Sequence, residues 1–177
     1  ELARDLAERF NSRYSDTFVV PEPLIKEFGA RIMSLQDPES KMSKSDKDEN
    51  AFILMLDDKD AIRRKIRRAV TDSLGVITYS DQQSGLKNLL NIYSVLTDKS
   101  VDSIVASYDG KGYGEFKDDL AEVVIQALSP IQERYKEYRQ DKAFLESIYR
   151  EGADKAEAFA AKTLRKVYKK IGFIPRV

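Results

Sequence analysis

Apolar positions along the chain alternate between two periods. Leu2, Leu6 and Phe10, with Arg9 beside them, recur at helical spacing and predict an amphipathic helix over residues 1–13, stopped within residues 11–16. Thr17, Phe18, Val19 and Val20 form a short strand-like run that Pro21 and Pro23 end. Residues 30–35 are a compact apolar run expected as a buried strand. Residues 51–56 are a second, compatible with strand or helix at that length. Between them lies a polar loop over residues 36–40, followed by Lys41, Met42, Ser43, Lys44, Ser45 and Asp46.

From residue 57 onward the pattern is helical. Asp57 or Asp58 can cap a helix over residues 59–69 whose inner face holds Ile62 and Ile66. Residues 71–83, with Gly75, read as a loop or short hairpin. Leu86, Leu89, Leu90, Tyr93 and Leu96 mark the next helix, and residues 98–108 another. Gly110, Gly112 and Gly114 signal a turn. From residue 115, Leu120, Val123, Val124, Ala127, Leu128 and Ile131 draw an apolar stripe, in which Pro130 is expected to kink or split the helix. A last helix over residues 153–170 is expected to bury Ala156, Phe159, Ala160, Leu164 and Val167. The organisation is two-part: a strand-containing portion in the first seventy or so residues, then a helical bundle.

Composition narrows the chemistry. The 177 residues hold no cysteine and no histidine, so disulfides, thiolate metal sites, imidazole bases and histidine triads are excluded within the chain. Lys plus Arg number 30 and Asp plus Glu 30, so a nucleic-acid site has to be a local patch. The longest charge-free runs, residues 88–97 and 123–132, are about half the length of a membrane span. No signal-peptide pattern opens the chain, and a soluble cytoplasmic protein is expected. The first residues already lie inside a helical pattern and no initiator methionine precedes them, as expected of part of a longer protein.

Residues 41–45 place two ammonium groups and two hydroxyls in five positions, a loop suited to a polyphosphate. The pentapeptide is identical to the KMSKS motif of class I aminoacyl-tRNA synthetases. Ala30-Arg31-Ile32-Met33-Ser34-Leu35 precedes it. Downstream come Lys65-Ile66, Ala69-Val70-Thr71-Asp72-Ser73, Leu89-Leu90-Asn91-Ile92-Tyr93, Gly110-Lys111-Gly112-Tyr113-Gly114 with Phe116-Lys117, and Pro130-Ile131-Gln132-Glu133-Arg134-Tyr135. In this order the chain resembles the bacterial tryptophanyl-tRNA synthetases along nearly its whole length.

The resemblance implies a mainly α fold. Residues 1–72 would be the C-terminal part of a Rossmann-like catalytic domain with a few short strands, and residues 73–177 a helical anticodon-binding domain. It implies an ATP-dependent tryptophan–tRNA ligase, with Mg2+ carried on the ATP phosphates and no dedicated metal ligands here. Lys41 and Lys44 would be catalytic, and Ile32, Lys41, Met42, Ser43, Lys44 and Ser45 would bind ATP, Ile32 through its backbone and Met42 as a packing anchor. The family's H-I-G-H element needs histidine, so this chain would supply one half of the site and be inactive alone. Its partners would be tRNA-Trp, tryptophan and ATP, in a homodimer away from membranes.

For the tRNA, the basic run of Arg63, Arg64, Lys65, Arg67 and Arg68 is the candidate phosphate surface, with Arg63, Arg64, Arg67 and Arg68 as the contacts, against the reading of a solvated face balanced by Asp57, Asp58 and Asp60. Tyr108, Tyr113, Tyr135 and Tyr138 could stack on bases, while Tyr135 and Tyr138 at helical spacing also suit a core edge. Three other readings stand beside this one: a tyrosyl-tRNA synthetase, which shares fold and reaction; a non-catalytic helical RNA-binding module; and a nucleotidyltransferase acting on a small metabolite.

Overall fold

The computed structural model describes residues 1–25 and 29–174. It is mainly helical. The helices are α1 (Leu2–Tyr14), α2 (Lys59–Arg68), α3 (Ser84–Thr97), α4 (Val101–Ser107), α5 (Tyr113–Gln140) and α6 (Lys142–Ile171), with 3-10 turns at Glu49–Ala51 and Asp81–Gln83. The chain forms two compact units, one of residues 1–25 with 137–177 and one of residues 26–136.

In the second unit, side-chain oxygens start the helices. Asp58 accepts from the Ala61 N–H at 2.7 Å and so caps α2, and Ser100 accepts from the Ser103 N–H to cap α4. Asp57 is not the cap; its carboxylate takes the Lys65 ammonium at 2.6 Å and the Leu54 N–H at 2.9 Å. Ile62 and Ile66 are buried as their spacing demands, and join Leu35, Leu86, Leu89, Leu90, Ile104, Phe116 and Leu120 in one core. An aromatic trio closes it, with Phe116 edge-on to Tyr108 at 5.1 Å and stacked on Tyr93 at 6.0 Å.

The expected strands are not formed. Among the described residues the β-pairing is one isolated antiparallel bridge between Met33 and Lys41. Of the run at 51–56, residue 51 closes a 3-10 turn and the rest is irregular, and residues 17–20 carry no ladder. A strand needs a neighbouring backbone to pair with, and these segments meet other partners. Leu35 N–H donates to Ala51 C=O at 2.9 Å and Val70 N–H to Leu35 C=O at 2.8 Å, one bond each. The Thr17 and Phe18 N–H groups both donate to the Asn11 side-chain oxygen at 2.9 Å.

Two expectations for the long helices are also corrected. Pro130 does not split α5, which runs unbroken through it. The carbonyl that proline leaves without its helical donor belongs to Gln126, an exposed residue whose carbonyl water can serve. α6 begins at Lys142, capped by the Asp141 carboxylate on the Phe144 N–H, and none of its residues is buried. Phe159, expected inside, is 84% exposed. Periodicity reports that a helix has an apolar face; burial needs something to cover it. The helix ends on Gly172 at φ 77°, with the Phe173 N–H returning to the Tyr168 carbonyl.

Candidate nucleotide-binding loop

The Met33–Lys41 bridge makes residues 32–42 a small hairpin. The bonds that close it are Met42 N–H to Ile32 C=O at 3.0 Å and Ser34 N–H to Ser40 C=O at 2.8 Å. Both flank the Met33–Lys41 pair, so the N–H and C=O of Met33 point away from the hairpin partner. The tip is held by Asp37, whose carboxylate accepts from the Ser40 hydroxyl at 2.6 Å and the Glu39 N–H at 3.3 Å. Ser34 and Leu35 are buried, and Ile32 and Met42 are half-buried against the core. Met42 therefore packs inward while its neighbours face out.

Lys41, Ser43, Lys44 and Ser45 are all exposed. Beyond Met42 the chain turns tightly. The Asp46 N–H returns to the Ser43 carbonyl at 3.2 Å, the Ser45 N–H to the Ser43 hydroxyl at 3.2 Å, and the Asp48 N–H to the Asp46 carboxylate at 2.9 Å. Among the described residues neither Lys41 nor Lys44 has a carboxylate within ion-pair distance. Two uncompensated ammonium groups lie within four positions, Lys41 on the hairpin arm and Lys44 on the self-braced turn, an arrangement that attracts a polyanion. No group of three or more acidic, histidine or cysteine side chains among the described residues could hold a metal ion.

The basic helix α2 is divided by the structure. Lys65 is not on the solvent face. It is buried, paired with Asp57, and its ammonium lies 5.1 Å from the Phe52 ring centroid. Arg63 is bonded to Glu122 on α5 at 2.7 Å and to Asp60 at 3.3 Å, and Arg67 donates twice to Asp118 on α5, at 2.6 and 3.1 Å. These bonds hold Glu122 and Asp118 below the ordinary carboxylate range and push both guanidiniums up. Arg64 and Arg68 have no ion-pair partner among the described residues.

Of the four tyrosines, Tyr108 is buried and its hydroxyl donates to Asp119 at 2.7 Å, so it is not a free stacking platform. Tyr113 donates to Asp72 at 2.6 Å. Tyr135 and Tyr138 are 43% and 45% exposed rather than core-edge residues.

Sequence reasoning missed Asn88 and Lys117. The Asn88 amide accepts from Met33 N–H at 2.9 Å and donates to Met33 C=O at 2.8 Å, 55 positions away. Lys117 is buried, its ammonium 2.8 Å from the Ala69 carbonyl and 3.0 Å from the Thr71 hydroxyl, and desolvation lowers its pKa. Neither residue carries a local signal; an asparagine and a lysine on amphipathic helices read as ordinary surface.

The family model for tRNA synthetases class I (W and Y) matches residues 1–129. The chain belongs to that family. The tryptophan–tRNA ligase of Clostridium perfringens is 54% identical over 176 residues, covering 99% of this chain and 53% of that protein. The Bacillus subtilis tryptophan–tRNA ligase is 49% identical over 173 residues, 97% of this chain and 52% of that protein. Among solved structures, the tryptophanyl-tRNA synthetase of Mycoplasma pneumoniae superimposes with a TM-score of 0.85 at 29% identity, over 97% of this chain and 52% of that one. The Campylobacter jejuni enzyme complexed with ADP and tryptophan gives 0.66 at 29% identity, over 96% and 52%. The chain thus spans about half the length of the curated relatives it matches. No helix among the described residues is long and apolar enough to cross a membrane.

Proposed function

We propose that this chain is the ATP-loop and helical half of a tryptophan–tRNA ligase. The observation that carries the reading is the pair of free ammonium groups, Lys41 at the Met33 bridge and Lys44 on the turn that follows Met42, in a chain of this family. Residues 1–72 serve as the C-terminal part of the Rossmann-like catalytic domain and residues 73–177 as the anticodon-binding helices. The protein works in the cytoplasm as a homodimer.

The tryptophan carboxylate, ionised at neutral pH and needing no general base, attacks the α-phosphorus of ATP. The bond from that phosphorus to the bridging oxygen breaks, and pyrophosphate leaves with the charge. Lys41 and Lys44 face the developing charge and stabilise it more in the transition state than in bound ATP. The Ser43 and Ser45 hydroxyls donate to phosphate oxygens, the Ile32 backbone meets the adenine edge, and Met42 anchors the turn by packing. Mg2+ bound on the phosphate oxygens would add charge neutralisation. A terminal ribose hydroxyl of tRNA-Trp then attacks the carbonyl carbon of the adenylate, the bond from that carbon to the phosphate oxygen breaks, and AMP leaves; the tRNA's backbone phosphates contact the basic face of α2. Arg64 and Arg68 lead there, and Arg63 and Arg67 are shared with α5.

The test is ATP–pyrophosphate exchange on a chimera in which these residues replace the matching part of the Clostridium perfringens ligase. Tryptophan and tyrosine are supplied in parallel. Exchange with tryptophan alone is expected. Tyrosine is the negative control, since the amino-acid pocket of the chimera would come from the Clostridium perfringens half. No exchange from a folded chimera leaves a helical RNA-binding module.

A further inference from the structure

α3 presents Leu86, Leu89 and Leu90 to the core, each at most 1% exposed, and in their midst stands Asn88 at 3%. A buried amide with no partner is strongly destabilising. Asn88 spends its donor and its acceptor on one residue, Met33. The geometry is that of a missing strand: the outward N–H and C=O of Met33 would meet a neighbouring strand in a sheet, and here one side chain replaces it. The assignment of the amide oxygen and nitrogen follows from the pairing itself, since Met33 N–H can only donate and its carbonyl only accept. On the other side of Met33 the bridge reaches Lys41, and the neighbouring Ile32 carbonyl holds Met42.

We propose that Asn88 is a positioning residue for ATP, an inference that rests on the function proposed above. By clamping Met33 it fixes the Ile32 backbone on one arm of the hairpin and, through the bridge, the root of the Lys41–Ser45 turn on the other. Both ends of the nucleotide are thereby referenced to one rigid helix. Asn88 touches neither adenine nor phosphate; it acts through Met33.

Two measurements test this. The first is amide hydrogen exchange on the full 177-residue chain. Asn88→Ala is expected to speed exchange at Met33 and Met42 while α5 amides keep their protection. Unchanged protection at Met33 overturns the clamp, whatever the activity of the protein.

The second uses the exchange-competent chimera. Asn88→Ala is expected to raise KM for ATP at least about fivefold while KM for tryptophan moves less than about twofold. Ser94→Ala is the control. It removes another buried hydrogen bond of the same helix, from the Ser94 hydroxyl to the Lys99 carbonyl at 2.6 Å, away from the hairpin. It is expected to leave KM for ATP unchanged. Equal effects of the two variants, or a parallel rise in both KM values, overturn the positioning role. Should Asn88→Ala not fold, Asn88→Asp keeps the acceptor for Met33 N–H, loses the donor, and is expected to shift KM for ATP the same way. A folded but inert unsubstituted chimera would sink the proposed function and this ATP role with it, while leaving the exchange result standing.

Discussion

Arg67 on α2 holds Asp118 on α5 with two guanidinium donors, at 2.6 and 3.1 Å, across 51 positions of sequence. Arg63 does the same to Glu122 with one. Two of the four arginines in the basic cluster are thus committed to joining two helices, and their charge is met before any phosphate arrives.

That division predicts how RNA binding responds to salt. Each phosphate contact contributes about 0.7–0.9 to the slope of log K against log salt. Arg64→Ala and Arg68→Ala are each expected to reduce the slope for tRNA-Trp by roughly that amount. Arg67→Ala should leave the slope nearly unchanged and lower the thermal midpoint instead. Fluorescence anisotropy over a salt series, with a melt of each variant, reads both. A larger loss of slope in Arg67→Ala than in Arg68→Ala would reverse the division.

The two loop lysines lead to a kinetic prediction. Removing one preorganised group aimed at transition-state charge costs about 10²–10³ in rate. Lys44→Ala in the chimera is expected to slow tryptophan activation by that order in a single-turnover assay. Lys41→Ala should also slow activation, with a larger share of its effect on KM for ATP, because Lys41 sits at the bridge beside Met33 and Lys44 on the turn beyond Met42. A Lys44→Ala activation rate within about threefold of the parent removes Lys44 from catalysis.

How far the residues announced this can be judged one by one. Asp58, Ile62 and Ile66 were legible because a cap and an inner face are local and α2 keeps both. The Lys41–Ser45 turn was legible as a charge pattern. The clamp of Asn88 on Met33 was not, since its two parts lie 55 positions apart. The burial of Lys65 and Lys117 was not, since a lysine reads as solvent-facing until its partners, Asp57 and the Ala69 carbonyl, are known. The apolar runs at 30–35 and 51–56 suggest a buried strand, with a helix open for the second, but a short apolar run signals burial and not pairing. Leu35 and Ala51 exchange a single backbone bond.

Alkaline pH should weaken the second unit through the buried Tyr108 and the partly buried Tyr113. Burial, with the Tyr93 and Asp119 neighbours, raises the Tyr108 pKa far above its ordinary 10.0, and burial with the Asp72 carboxylate raises that of Tyr113. In the unfolded chain both ionise at the ordinary value. Above it the unfolded state holds fewer protons than the folded one, so stability falls with rising pH. This stabilisation is complete below pH 10 and is lost as pH climbs toward the folded values. Lys117 has the opposite sign. Its lowered pKa makes its contribution improve as pH rises toward the ordinary 10.5. Urea unfolding from about pH 9 to 11 should show a decline that is shallower in Tyr108→Phe. Equal slopes in the two proteins would mean the tyrosine does not carry it.

Two glycines should respond in opposite directions to the same methyl group. At Gly85, in the first turn of α3, an added Cβ would lie 2.1 Å from the Val70 carbonyl oxygen. That oxygen cannot simply retreat, because the Val70 N–H is bonded to the Leu35 carbonyl, and Leu35 leads back into the hairpin that carries Met33. Gly85→Ala is expected to cost about 1–3 kcal/mol by overpacking. At Gly152, inside α6, nothing lies within 4 Å of an added Cβ. Gly152→Ala there gains helix propensity and loses no contact, and should stabilise by about 0.5–1 kcal/mol. Urea denaturation of both variants is the measurement. The strain at Gly85 should also reach the ATP loop, so KM for ATP in the chimera is expected to rise in Gly85→Ala and stay unchanged in Gly152→Ala. A destabilised Gly85→Ala with an unaltered KM would show that the hairpin absorbs the shift before it reaches Lys41.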